Sequence, residues 1–384
     1  MSLRTVGVIG GDPFHRRTWS GASHHLFSAL QRADVLAGAV DATPPEAWDH
    51  AAKAAAIWPS RRRWRERYEF SPVRRAALSA AGGRRAKAVD PAPDALLQVG
   101  AYFDFTRVPG LTPRLRCSFH DSNLARFSSE WTSIEDASAG HIRRERRTEQ
   151  RVFDGLDLIM TMSEWLRRSF IEDFGQDPGK VVTVGSGANV TPVPEPGAAA
   201  ARDWSAPRVL FVGLDWVRKG GPDVLAAFRR LRAERADAEL WIVGPARPDG
   251  EPADDPGVTW HGRIDRSTPA GDAQIARLQR EATIYAMPSI YDPMPNVFLE
   301  AMTYELPCIA SQAGSMPEMV ADGETGLLVP PRDPDALLDA MRRLAADPDA
   351  ARRMGEAGRR RVLERFTWDG VAGRMVAAIK ARLP

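Results

Sequence analysis

Cysteine is nearly absent: Cys117 and Cys308 are the only two in 384 residues. Each lies inside an apolar, strand-like run, which excludes a disulfide framework and predicts buried free thiols in a reducing compartment. Excess charge is also missing, because 52 Lys and Arg against 50 Asp and Glu leave a formal +2, too little to imply a nucleic-acid partner. No apolar run approaches the roughly 20 residues of a membrane-spanning helix, and Thr5–Ile9 is too short for a secretory leader, so a cytoplasmic protein is expected. A dinucleotide fingerprint is lacking, since an eight-residue insertion separates Gly11 from Ser20-Gly21, whereas that motif needs its glycines within one short turn. The Gly-x-x-x-x-Gly-Lys-Ser/Thr spacing of a nucleoside-triphosphate loop is not found either.

What remains is a chain of ordinary globular composition, 43% hydrophobic and 27% charged, long enough for two domains of roughly 150 to 200 residues. Buried parallel strands are predicted over Thr5–Gly11, ending in a glycine turn, and over Ala95–Gly100, Arg116–Phe119, Leu156–Met162, Arg208–Gly213, Glu239–Gly244 and Val258–Ile264, with helix patterns between them and Val181–Asn189 closing the first half. The proline- and glycine-rich stretch 191–206 reads as a linker. The pattern therefore predicts an α/β protein with a first domain over 1–190, a linker over 191–206, a second domain over 207–365 and a closing helix over 366–384.

The most informative stretch is 285–300. An apolar run ends at Pro288-Ser289, a proline-rich turn holds Asp292, and a helix pattern starts near Pro295 and carries Glu300. If that helix begins at Pro295, the amides of Asn296, Val297 and Phe298 lack intrahelical acceptors and form an anion seat beside a carboxylate. The same residues also suit any strand, turn and helix in which Asp292 only stabilises the helix start. Upstream, Lys219-Gly220-Gly221 with Arg218 precedes another predicted helix, so cations and amides converge there as a diphosphate requires. His120 falls at the carboxyl end of a strand, where open α/β sheets gather their ligand-binding groups. Asp333 and Asp347 stand before prolines and read as helix caps rather than metal ligands.

Asp292, seven residues, Glu300, then Ala301-Met302, Leu306–Ser311, Gly314–Glu318 and Asp322–Val329 together resemble the signature of retaining glycosyltransferases of the GT-B fold, family four. The resemblance runs over nearly the whole chain, most closely over 208–368. It implies two Rossmann-like domains facing each other across a cleft, with the acceptor on the first, the nucleotide sugar on the second and the last helix crossing back onto the first. The family pattern is Glu, seven residues, Glu, so Asp292 is one methylene shorter. Ser20 stands at the first of two expected glycines, Leu214 at an expected arginine, and Glu305 and Ser315 at expected small residues.

By that resemblance Asp292 holds sugar hydroxyls, Glu300 the ribose hydroxyls and Lys219 the donor diphosphate. His120 supports charge at the anomeric carbon, Gly21 lets the backbone approach the donor, and Arg218, Arg263, Asn296 and Val297 complete the donor site. It implies a metal-independent, cofactor-free hexosyltransferase that moves a sugar from a nucleoside diphosphate, UDP first and GDP second, to a hydroxyl of a lipid, glycan or small metabolite. An epimerase or phosphorolytic enzyme of the same fold and a non-catalytic sugar-nucleotide-binding scaffold stay open as alternatives. Within 53–87, nine arginines face only Glu66 and Glu69, with aromatic residues interleaved. This reads either as a solvated insertion or, over 61–87, as a patch for an anionic acceptor or the inner membrane surface, where each basic residue contributes about 1 kcal/mol.

Overall fold

The computed structural model describes residues 3–90, 92–130, 139–197 and 202–383. Two compact units are present, one of Met1–Gly185 with Trp368–Pro384 and one of Ser186–Thr367.

The first unit runs β1 (Thr5–Ile9), α1 (Ala22–Arg32), β2 (Leu36–Asp41), α2 (Glu46–Ala55), α3 (Arg61–Glu69), α4 (Pro72–Lys87), β3 (Ala95–Val99), β4 (Leu115–His120), α5 (Leu124–Glu130), α6 (Ala139–Asp154), β5 (Leu158–Thr161), α7 (Glu164–Glu172) and β6 (Val181–Thr183). Its strands are parallel in the order β2-β1-β3-β4-β5-β6. β1, β3 and β5 are buried at every position, which is why they read as unbroken apolar runs; a strand covered on both faces has no polar side. β2 lies at the sheet edge, only half-buried throughout, and the sequence pattern did not single it out.

The arginine-rich stretch is not an insertion. It forms the crossover from β2 to β3, because α4 buries Leu78, Ala81, Gly82, Gly83 and Ala86. Asp49 accepts from the Tyr68 hydroxyl and pairs with Lys53, tying α3 to α2. Arg61, Arg63, Arg67, Arg84 and Arg85 stay exposed. The charged helix pattern that the sequence carries over 134–151 is α6 from Ala139 onward; residues 134–138 lie outside the described residues.

The second unit contains β7 (Arg208–Val212), α8 (Gly221–Glu234), β8 (Glu239–Val243), β9 (Val258–Gly262), α9 (Pro269–Glu281), β10 (Ile284–Met287), α10 (Asn296–Thr303), β11 (Cys308–Ser311), α11 (Met316–Met319), β12 (Gly326–Val329), α12 (Pro334–Ala346) and α13 (Pro348–Arg365). Its parallel strands lie in the order β12-β11-β10-β7-β8-β9. The chain steps outward from β7 to β9 and returns to the other side of β7 as β10. Strand order therefore reverses between β7 and β10, and such a reversal opens a crevice at the carboxyl ends of the two strands. Tyr285 and Phe298 are fully buried and meet edge to face at 5.2 Å, fixing α10 over β10. Burial of side chains of this size contributes about 1.5–3 kcal/mol each. Asp333 and Asp347 cap their helices, accepting from the Ala336 and Ala350 amides at 2.9 Å.

The last helix, α14 (Trp368–Lys380), belongs to the first unit. Arg32 pairs with Asp369 at 2.6 Å, and Arg374 Nε donates to the Val184 carbonyl at 2.7 Å.

The proline-rich stretch 191–206, where it is described, is fastened to the second unit. The Gly197 amide donates to Glu305 Oε1 at 2.8 Å. Arg202, 7% exposed, donates to the Arg280 and Glu305 carbonyls at 2.9 Å, to Tyr304 at 2.9 Å and to Gln279 at 3.1 Å. Burial lowers its pKa to about 10. An unsatisfied buried acceptor costs about 1–3 kcal/mol, so Arg202→Ala should destabilise the second unit by roughly 3 kcal/mol in urea unfolding. Arg202→Lys, which supplies fewer donors, should recover only part of the loss.

Candidate functional site

Lys219 and Asp292 stand on the loops that leave β7 and β10, the two strands flanking the reversal. Lys219 Nζ donates to Asp292 Oδ2. Arg218 Nη1 lies 3.7 Å from the same oxygen and donates to the Tyr291 carbonyl at 3.0 Å, while its Nε binds Asp215 at 3.1 Å. Two cations thus converge on one carboxylate that is 5% exposed. Leu214 is exposed and takes no part.

Close backbone approach makes this possible. Gly220 adopts φ 75°, and a Cβ there would meet the Pro288 carbonyl oxygen at 2.4 Å. On the other side Gly314, at φ 59°, is as close to the Asp292 carbonyl oxygen. A side chain at either position would push apart the loops that bring Lys219 to Asp292.

The expected anion seats are narrower than the sequence suggested. Pro295 is the cap rather than the first helical residue of α10. The Asn296 amide donates to the Met294 carbonyl and that of Phe298 to Pro295, both at 3.0 Å. Of the three, the Val297 amide is the one with no hydrogen-bond partner among the described residues. At the start of α8 the Lys219, Gly220 and Gly221 amides are likewise consumed by the Asp215, Val217 and Trp216 carbonyls. Turn formation competes for the donors that a free helix start would offer. Asn296 itself accepts from the Ser186 hydroxyl at 2.9 Å.

Glu300 lies in α10 and is 3% exposed. Its Oε2 accepts from Arg266 Nη1, and Arg266 Nη2 reaches the Asn189 carbonyl at 3.4 Å. Burial pushes the Glu300 carboxyl above its ordinary range, and attraction to Arg266 opposes that rise. Arg263, the arginine chosen from the sequence, is exposed; the one that meets Glu300 is Arg266. Sequence reading missed Arg266 because a lone cation between a strand and a helix carries no sign of a partner 34 positions away.

In the first unit Gly21, at φ 89°, caps α1, and Trp19 and Ser20 before it are also left-handed at 47° and 54°. Ser20 therefore adopts a backbone conformation that favours glycine. Trp19 Nε1 donates to Asp121 at 3.0 Å and packs edge-on against Phe119, anchoring the start of α1 at the end of β4. His120, 2% exposed, is enclosed by Phe153 and Phe170, and its Nε2 has no hydrogen-bond partner among the described residues. Burial lowers its pKa to about 3.

That depression fixes a sign. Between about pH 3 and the ordinary histidine value near 6.5 the unfolded chain binds the proton and the folded one does not. Stability contributed by neutral His120 is present above pH 6.5 and declines as the pH falls. His120→Phe should lose less stability than the parent between pH 7 and pH 4.5 in urea titrations, whatever its offset at pH 7. Equal slopes would contradict the buried neutral imidazole.

Residues 206–347 match the family model described as Glycosyl transferases group 1. The chain is 32% identical over 234 residues to MMP alpha-(1->4)-mannosyltransferase of Mycolicibacterium hassiacum, covering 60% of this chain and 55% of that one. It is 31% identical over 251 residues to alpha-maltose-1-phosphate synthase of Mycolicibacterium smegmatis, covering 58% and 63%. The chain thus spans less than two thirds of either relative. Among solved structures, sucrose-phosphate synthase from Thermosynechococcus elongatus superposes with a TM-score of 0.70 at 20% identity, covering 99% of this chain and 98% of that one. Anabaena HepE, in complex with UDP and glucose, gives 0.65 at 15% identity, covering 99% and 100%. The two six-stranded parallel sheets have the GT-B fold of these structures. The loops after β7 and β10 and the helix carrying Glu300 all lie inside residues 206–347, the segment that belongs to the glycosyl transferases of group 1.

Proposed function

We propose that this chain is a retaining glycosyltransferase that moves a hexose from a nucleoside diphosphate to an acceptor hydroxyl. The observation that carries this reading is the convergence of Lys219, Arg218 and Asp292 at the strand-order reversal of the second unit. A diphosphate entering there takes over the Lys219 ammonium and frees Asp292 to accept hydrogen bonds from sugar hydroxyls. Glu300 receives the ribose hydroxyls, and the Val297 amide meets a donor oxygen.

The bond from the anomeric carbon to the diphosphate oxygen breaks as the acceptor oxygen bonds to the same face of that carbon. The acceptor proton passes to the departing phosphate. Lys219 and Arg218 offset the charge that builds on the leaving group; removal of one such contact lowers the rate on the order of 100- to 1,000-fold.

UDP is the base proposed first, because the related HepE structure holds UDP and glucose, with GDP second. In this reading the acceptor, a lipid, glycan or small metabolite, is received by the first unit near Gly21, and His120, enclosed by Phe153 and Phe170, is set aside as a contact. The two free buried thiols support a cytoplasmic setting. Contact with an anionic membrane is supported by Trp48, Ile57, Trp58 and Val73, exposed at 59%, 70%, 42% and 41%, beside the exposed arginines of α3 and α4. Arginine and tryptophan together suit a headgroup layer. Among the described residues no helix is long and apolar enough to cross a membrane.

The test is thermal stabilisation by UDP, GDP, ADP and TDP sugars followed by turnover of the best donor. A ligand at 100 times its dissociation constant stabilises by about 2.7 kcal/mol. One donor should stabilise the parent, fail to do so with Lys219→Ala, and release its nucleoside diphosphate with an unchanged anomeric configuration when an acceptor is supplied. Absence of a shift with every donor would contradict the site, and donor conversion without an acceptor would favour an epimerase.

A further inference from the structure

We propose that Arg266 is a positioning residue of the donor site, holding Glu300 as an ionised, oriented acceptor for the nucleoside ribose; this rests on the reading of Glu300 as the ribose ligand.

The geometry is one-sided. Arg266 binds Glu300 through Oε2 alone, leaving Oε1 without a protein hydrogen bond among the described residues. A carboxylate held by one oxygen keeps acceptor capacity on the other. Arg266 is itself held at one further point, the Asn189 carbonyl at 3.4 Å, while Asp272 lies 3.9 Å from its Nε, beyond hydrogen-bond reach. Its loop carries local turn and cap hydrogen bonds. Asp265 accepts from the Ser267 amide at 3.1 Å and hydroxyl at 2.7 Å. Thr268 then caps α9, accepting from the Gly271 amide at 3.1 Å.

The charge balance gives Arg266 its role. Glu300 is almost fully enclosed, and burial disfavours its ionised form. The other titratable groups around it are Asp272 of α9, Tyr285 of β10 and Tyr304, which caps the end of α10. Asp272 repels a second negative charge, and neither tyrosine supplies a positive one. Arg266 is thus the cation that keeps Glu300 ionised. Protonated Glu300 would carry a hydroxyl proton in place of an acceptor site and would receive ribose hydroxyls poorly.

The test is calorimetric binding of UDP, with GDP in parallel, between pH 5.5 and 8.5, using Arg266→Gln, Arg266→Lys, Glu300→Gln and the Arg266→Gln/Glu300→Gln double variant. Each variant is first checked for cooperative unfolding. Glu300→Gln should weaken binding about 10- to 100-fold, as expected for a lost hydrogen bond to a charged group, with little pH dependence beyond that of the ligand phosphate. Arg266→Gln should weaken binding by about tenfold or more at pH 5.5 and recover as the pH rises and Glu300 ionises. Arg266→Lys should stay close to the parent profile. The double variant should be no weaker than Glu300→Gln, because Arg266 acts through Glu300.

A flat Arg266→Gln profile matching the parent, while Glu300→Gln weakens binding, would overturn the role of Arg266 alone. A further loss in the double variant would overturn it too, since Arg266 would then touch the nucleotide independently. Unchanged binding in Glu300→Gln would instead overturn the reading of Glu300 on which the inference rests. If Arg266→Gln does not fold, Arg266→Lys and the double variant carry the same comparisons.

Discussion

The reversal of strand order between β7 and β10 is the constraint on which the second unit depends. Parallel strands joined by right-handed crossovers advance in one direction until the chain returns to the far side of its starting strand. At that return, the loops after β7 and β10 have no crossover helix between them. Lys219 and Asp292, 73 positions apart, come into contact for this reason. Their charges then satisfy one another in a buried place where either alone would be costly. A pair of this kind suits a binding site, because an anion of the right shape can replace the carboxylate at the cation with little net loss of charge pairing.

Around that pair the molecule allows backbone strain where the loops must approach. Gly220 and Gly314 have positive φ, and a Cβ at either would meet the Pro288 or Asp292 carbonyl oxygen. Glu305 is left-handed as well, at φ 58°, although it has a side chain. That conformation accounts for the small residue usual at this place in the family. Here the Glu305 side chain does a second job, accepting from the Gly197 amide, while its carbonyl accepts from Arg202. Anchorage of the proline-rich segment thus accompanies a left-handed residue that costs on the order of 1 kcal/mol.

Much of this was legible in the sequence where local chemistry determined it. Strands buried on both faces read as apolar runs; the glycine and proline punctuation around 213–221 and 288–295 marked the two loops, and Asp333 and Asp347 were readable as caps. Edge strand β2 was not, because half-burial leaves no continuous apolar run. The insertion reading of 53–87 failed because its arginines dominate the composition, while the small residues that seat α4, such as Gly82 and Gly83, carry little hydrophobic signal. Free amides at the α8 and α10 starts were overcounted because turn hydrogen bonds depend on loop path, not on residue type. Arg266 was missed for a related reason, since its partner is set by tertiary placement. For His120 the strand end was evident, but the closure of Phe153 and Phe170 over its ring was not.

The central claim is that Lys219, released from Asp292, meets a donor diphosphate, and calorimetric comparison of UDP with UMP in the parent and in Lys219→Ala tests it most directly. The account predicts that UDP binds the parent at least about tenfold more tightly than UMP, a difference of about 1.4 kcal/mol, and that the two become nearly equal in Lys219→Ala while UMP binding changes little. A UDP preference that survives the loss of Lys219, in protein that unfolds cooperatively, would contradict it.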